Sequence, residues 1–226
     1  MNASSVIVFD MDGVLADVRA SYLSAIALTV GHFTGAPAPM ATIDQYKQAG
    51  GWNNDWQLAH ELIRQAGHAV PYENVVSVFQ KIFLGDNFDG LILQEKWIPQ
   101  GDCLDRLSRA NQLAIFSGRP RVEIDFTVKR FAPRVTWACI VGDEDVSCPK
   151  PAPDGLRKVA EQTRSQNLAY VGDSVDDARS ARAANVAFIG VAEQDQASLA
   201  QALVAEGAMA IVENVNELED VLYAQR

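Results

Sequence analysis

Cysteine, histidine and positive charge are scarce in this chain of 226 residues. Its three cysteines are Cys103, Cys139 and Cys148; none forms a Cys-x-x-Cys pair and the number is odd. That pattern excludes a disulfide framework and points to reduced thiols, as expected in the cytoplasm. His32, His60 and His68 are too scattered to make a zinc site. Lysine and arginine number 19 against 29 aspartates and glutamates, a net charge of −10. Such a chain repels a nucleic-acid backbone and anionic lipid, so neither nucleic acid nor a membrane is expected as a partner. A small phosphorylated molecule would be repelled at long range too, so local cations must attract it. No apolar run approaches the roughly 20 residues needed to span a bilayer. Residues 1–5 are short and polar, so no signal peptide is expected. Internal repeats and low-complexity tracts are also lacking.

Apolar residues are abundant, at 48%. The length suffices for one sizeable core and an inserted subdomain. The most informative stretch is Val6-Ile7-Val8-Phe9-Asp10-Met11-Asp12-Gly13-Val14-Leu15. Four apolar residues in a row, mostly β-branched, read as a buried strand of a parallel sheet. The run stops at Asp10, and Asp12 and Gly13 follow. Two carboxylates thus sit at the carboxyl edge of a sheet, where open α/β folds bind ligands. Acids held so close repel each other and need a cation or a shared proton. Hard oxygen ligands suit Mg²⁺. One carboxylate can attack an electrophile, and the other can move protons.

Downstream, strands and helices alternate. Strands are expected at 113–116, 137–141, 168–171 and 186–191, with a short one at 209–212. Helices are expected between them, the last over 215–224. This alternation means a doubly wound α/β core with a parallel, Rossmann-like sheet. About a hundred residues separate the first strand from 114–116, although a crossover needs only about a dozen. Helical patterns fill that gap: one after Arg19 broken by Gly31 and Gly35, then 42–49, 55–65 and one after Pro71. We therefore expect residues 1–16 and 94–226 to form the core and 17–93 a helical subdomain.

Three more segments carry chemistry: Phe116-Ser117-Gly118-Arg119-Pro120, Cys148-Pro149-Lys150-Pro151-Ala152-Pro153 and Val171-Gly172-Asp173-Ser174-Val175-Asp176-Asp177. Ser117 lies where a strand meets a helix. Its hydroxyl and the Gly118 amide can hold phosphate oxygens, or Ser117 can serve as a helix N-cap. Arg119 can reach a substrate phosphate, anchor the helical subdomain, or form a surface ion pair. Proline on both sides of Lys150 fixes its direction, and its ammonium can neutralise an acid and a phosphate. Asp177 lies one helical turn beyond Asp173 and faces the same way.

In this order the four segments resemble the signature motifs of the haloacid dehalogenase superfamily of phosphatases and phosphomutases. The resemblance runs over most of Val6 to Val191. It implies that Asp10 attacks phosphorus and forms an acyl phosphate. Asp12 would protonate the leaving oxygen and later activate water. Dehalogenases of the superfamily lack an aspartate at that second place, so Asp12 favours phosphoryl transfer. Lys150 would be the catalytic lysine. Mg²⁺ would be held by Asp10, the Asp12 carbonyl and Asp173, with Asp177 acting through water or orienting Lys150; Asp176 could take its place. The inserted subdomain would be a cap that closes over the site and selects the substrate. Lys47, Trp52, Asn53, Asn54 and Trp56 are candidate substrate contacts there, although the two tryptophans could simply pack in the cap core. The chain departs from related sequences at Asn185, where glycine is common; Asn tolerates the same left-handed backbone.

The expected function is an Mg²⁺-dependent phosphatase for a small phosphorylated metabolite, acting as a monomer or homodimer. The alternatives are a β-phosphoglucomutase-type phosphomutase, a phosphonate hydrolase using Lys47 or Lys81, and a non-catalytic phosphate-binding regulator.

Overall fold

The computed structural model describes residues 5–223 and divides into two compact units, 1–16 with 97–226, and 17–96. The first unit is an α/β core. Its strands are β1 (Ser5–Phe9), β4 (Asn111–Phe116), β5 (Trp137–Val141), β6 (Leu168–Gly172), β7 (Ala187–Val191) and β8 (Ala210–Val212). They form one sheet in the order β5-β4-β1-β6-β7-β8, with every neighbouring pair parallel. Short strands β2 (Ala16–Asp17) and β3 (Lys96–Trp97), not anticipated from sequence, pair in a sheet of their own where the chain leaves and re-enters the core.

The strand order explains why the motifs converge. β1 lies between β4 and β6, and Phe9 is in register with Ile115 on one side and Val171 on the other. The first residues past these three strand ends are Asp10, Ser117 and Asp173, so they emerge side by side. The chain winds outward from β1 through β4 to β5, then jumps back across β1 to β6. That reversal opens the crevice in which doubly wound sheets bind ligands.

The sheet is buried on both faces. Val6, Ile7, Val8 and Phe9 have essentially no exposure. Each contributes about 1.5–3 kcal/mol by leaving water. One face, built from Val6, Val8, Ala114, Phe116, Leu168, Tyr170 and Phe188, packs with Leu156 and Val159 of α7 (Asp154–Thr163), Ala178 and Ala181 of α8 (Val175–Ala184), and Leu199 and Leu203 of α9 (Ala197–Ala205). The remaining core helices are α5 (Cys103–Ser108), α6 (Arg121–Phe131) and α10 (Leu218–Tyr223). On α5, Cys103, Leu104 and Leu107 are buried. The expected last helix is instead a 3₁₀ turn at Val215–Glu217 followed by α10. Its expected end at Ala224 lies outside the described residues. Asn185 ends α8 in the left-handed conformation, φ 56° and ψ 44°.

The second unit is helical: α1 (Tyr22–Thr34), α2 (Met40–Ala49), α3 (Asp55–Gln65) and α4 (Tyr72–Phe83). Tyr22 stacks against Phe79 and Phe83 in its core, with ring centroids 5.7 and 4.0 Å away. Gly31 does not break α1 as expected. The helix runs through it and stops at Gly35, φ 84°. A side chain at 31 would lie 3.1 Å from the Pro37 nitrogen, so the glycine admits the returning chain. No helix among the described residues is long and apolar enough to cross a membrane.

Candidate active site

Asp10 follows directly on β1, and its amide donates to the Val171 carbonyl of β6 at 2.8 Å, so the sheet itself holds the residue. Its carboxylate is buried. Oδ1 accepts from the Met11 amide at 2.7 Å and meets Lys150 Nζ at 2.9 Å. Among the described residues no donor reaches Oδ2. The two oxygens thus differ: one is fixed and the other is available.

Lys150 lies at the base of the site with its side chain only 1% exposed, and its ammonium joins Asp10 to Asp177, 2.7 Å away. The Phe116 and Tyr170 rings flank it, centroids at 4.9 and 5.4 Å. A lysine so deeply buried would ordinarily lose its proton; burial pulls its pKa down, but Asp10 and Asp177 overcome that and hold it above the usual range. The two carboxylates thus favour the ammonium form of Lys150.

Asp177 is fully engaged. Oδ2 accepts from the Ser174 amide and hydroxyl, while the Asp177 amide donates back to the Ser174 oxygen, a capping box at the start of α8. Oδ1 receives Lys150 and the Tyr170 hydroxyl, the latter at 2.7 Å. Burial works against its charge, but Lys150, Ser174 and Tyr170 hold its pKa below the ordinary carboxylate value. Of the two sequence readings of Asp177, orientation of Lys150 is the one this bonding supports. Asp176 is buried and lies 3.9 Å from Arg179; it is not in the acid cluster.

Asp173 completes the cluster. Oxygens of Asp10, Asp173 and Asp177 all fall within 4.8 Å of one another. Two glycines admit this crowding. Gly13 has φ 71°, and a Cβ there would sit 1.8 Å from Asp173 Oδ2; a Cβ on Gly172 would sit 2.6 Å from that of Asp177. Three carboxylates face one ammonium, leaving an excess of buried negative charge. Burial pushes the Asp10 carboxyl up to about 7 despite Lys150, with Asp177 and Asp12 adding repulsion. Burial, then Asp177 and Asp10, lift Asp173 far above its normal value. An all-oxygen donor set with uncompensated charge fits a hard divalent cation such as Mg²⁺.

Ser117 is buried and Gly118 exposed at the mouth of β4. The sequence allowed Ser117 to cap the next helix; it does not. α6 begins four residues later, after Pro120. The Glu144 carboxylate takes the Arg121 amide at that helix start, both oxygens at 3.0 Å. The start of α6 thus lies away from Ser117 and Gly118, which belong to the loop between β4 and α6. Arg119 turns inward, is buried, and pairs with Asp12.

Three of the five candidates of the helical unit have local partners. Lys47 pairs with Asp55, Trp52 meets Tyr46 edge-on at 5.2 Å, and Asn54 caps α3 by accepting from the Gln57 amide at 3.0 Å. Asn53 is half-buried, and Trp56 carries a buried indole nitrogen with no hydrogen-bond partner. Sequence reasoning passed over Tyr170 and Phe116 as site residues. The signal for Tyr170 was its place in Leu-Ala-Tyr-Val-Gly: a buried phenol in an apolar strand must find a partner for its hydroxyl.

A parallel sheet whose carboxyl edge gathers three acids around a buried lysine defines an acid-lined α/β core. The chain belongs to the haloacid dehalogenase-like hydrolases, whose family model matches residues 7–191. A haloacid dehalogenase-like hydrolase from Bacteroides fragilis superposes with a TM-score of 0.78 at 22% identity, over 95% of this chain and 99% of that one. A protein from Lactobacillus plantarum described as a phosphoglycolate phosphatase gives a TM-score of 0.75 at 18% identity, over 97% and 99%. A Phytophthora nicotianae protein named imidazoleglycerol-phosphate dehydratase is 34% identical over 185 residues. That match takes in 78% of this chain, which spans 40% of that relative's length.

Proposed function

We propose that this hydrolase is an Mg²⁺-dependent phosphatase of small phosphate monoesters that works through an aspartyl phosphate on Asp10. The observation that carries the reading is the asymmetry of the Asp10 carboxylate, with Oδ1 fixed by Met11 and Lys150 and Oδ2 open at the sheet edge. Oδ2 attacks phosphorus, and the bond from phosphorus to the leaving oxygen breaks. Asp12 gives that oxygen a proton. Asp12 then takes a proton from water as the water attacks phosphorus, which frees inorganic phosphate and restores Asp10. The Ser117 hydroxyl and Gly118 amide hold the phosphoryl oxygens, and Lys150 offsets the charge of Asp10 and the phosphoryl group. Asp10, the Asp12 carbonyl and Asp173 hold Mg²⁺, which supplies further neutralisation of transition-state charge. Asp177 and Tyr170 keep Lys150 aimed.

In this reading residues 17–96 are the cap that selects the leaving group. Free Cys103, Cys139 and Cys148 agree with a cytoplasmic setting. The name of the Phytophthora relative makes imidazole-bearing alcohol phosphates worth testing beside sugar, glycolate and nucleoside phosphates. The test is phosphate release from such a panel with and without Mg²⁺, beside Asp10→Asn. Mg²⁺-dependent release abolished in Asp10→Asn is the expected result. No release from any compound by folded, Mg²⁺-bound protein would refute it, and turnover to an isomeric phosphate would favour the mutase.

A further inference from the structure

Arg119 is the largest fully buried side chain of the described residues, and its guanidinium faces Asp12. Nε and Nη2 both grip a single atom, Asp12 Oδ1, at 2.7 and 2.5 Å. Among the described residues no donor reaches Asp12 Oδ2. The Asp12 side chain is 30% exposed against 2% for Arg119, so the grip comes from below and the free oxygen lies on the open side. The arginine is itself braced. Nη1 donates to the Thr127 hydroxyl of α6 at 3.3 Å, the Arg119 amide donates to Ser117 Oγ at 3.3 Å, and its carbonyl accepts from the Asp143 amide at 2.9 Å.

Asp12 follows a strand end by three residues and sits in a tight loop, where Gly13 donates to the Ala16 carbonyl. Without a partner its carboxylate would turn about χ1 and χ2 among several rotamers. A proton-transferring group loses rate steeply when its oxygen is misplaced. A planar fork held in a packed core is the strongest device available for fixing a carboxylate.

We propose that Arg119 is a positioning residue. It locks one oxygen of Asp12 so that the other is presented to the leaving oxygen, and it takes no part in binding the substrate phosphate. This rests on the phosphatase reading above. It assigns Arg119 a task different from its neighbours Ser117 and Gly118, although the three are consecutive.

The test compares wild type, Arg119→Lys and Arg119→Gln on two esters: p-nitrophenyl phosphate, whose leaving group needs no proton, and an alkyl phosphate, whose leaving group does. Because kcat/KM reports the step in which the leaving group departs, the two esters separate the roles. In Arg119→Gln we expect kcat/KM to fall about 100-fold for the alkyl ester and less than about threefold for the nitrophenyl ester. Burst kinetics on the nitrophenyl ester should appear, because Asp12 is also needed to activate water. Arg119→Lys should recover part of the alkyl-ester loss, and it serves as the test if the glutamine variant fails to fold. Inorganic phosphate should bind all three proteins equally by calorimetry. Equal losses on both esters, with weakened phosphate binding, would overturn the positioning role while leaving the phosphatase intact. Absence of turnover of either ester by wild type would overturn both.

Discussion

Replacing Lys150 by methionine isolates the electrostatic logic of the site. Methionine fills much of the space of the lysine stem but leaves Asp10 and Asp177 without the ammonium they share at 2.9 and 2.7 Å. Removing one partner of a buried pair costs about 3–5 kcal/mol, because the remaining charge is stranded. Loss of the contacts to the Phe116 and Tyr170 rings adds about 1 kcal/mol. Against a typical stability of about 5–15 kcal/mol, that is about a quarter of the total or more. One relief is available: Asp10, already at about 7, moves higher still and takes a proton. The penalty should therefore be smaller at pH 5 than at pH 8. A bound divalent cation can replace the lost charge, so Mg²⁺ should stabilise Lys150→Met more than wild type. Urea unfolding at both pH values, in EDTA and in Mg²⁺, reads all of this. A variant within about 0.5 kcal/mol of wild type at both pH values would show that Lys150 does not compensate the acids, and the reasoning would fail.

Three other perturbations probe the same cluster. In the metal-free protein Asp10 holds its proton up to about 7 when folded but only to about 3.8 when unfolded, and Asp173 is raised too, so the native state binds more protons in that window. Stability should thus fall as pH rises from 4 to 7, by on the order of 4 kcal/mol from Asp10 alone, and Mg²⁺ should flatten the fall; a metal-free stability that rises through this window would contradict it. Gly13→Ala combines a left-handed backbone with a collision against Asp173, so it should cost at least about 1–2 kcal/mol and weaken Mg²⁺ binding by calorimetry; unchanged binding would mean that Asp173 is no ligand. Tyr170→Phe deletes the hydroxyl on Asp177 and should cost about 1 kcal/mol in a thermal melt and lower kcat more than it raises KM, whereas a change confined to KM would place Tyr170 in substrate binding.

What the sequence disclosed is what depends on neighbours along the chain. Strand ends at Phe9, Phe116 and Gly172 and the left-handed stop at Asn185 follow from local patterns, and the structure has each; Asp173 instead lies before the Ser174 cap of α8, so it reaches Asp177 across the strand-to-helix loop and not along one helical turn. Side-chain partners far apart in sequence were not legible. Asp12 and Arg119 are 107 residues apart, and only the order β4-β1-β6 brings their strand ends together. The sequence left Arg119 three possible tasks for that reason. The same limit hid Tyr170 and Phe116 around Lys150, since both belong to strands that read as plain core. Ser117 misled in a different way: Glu144, 27 residues further on, had already taken the helix start that a nearby serine would suit. Gly31 looked like a breaker because its reason for being there, the returning Pro37 backbone, is a matter of packing and not of propensity.

The central claim is that Asp10 becomes covalently phosphorylated. Rapid mixing of protein, Mg²⁺ and a substrate from the active panel, quenched in acid and treated with hydroxylamine, converts an acyl phosphate into a stable hydroxamate that peptide mass spectrometry can place. The account predicts the hydroxamate on Asp10, absent in Asp10→Asn. Turnover with no modified residue under single-turnover conditions, or with the modification on Asp12, would contradict it.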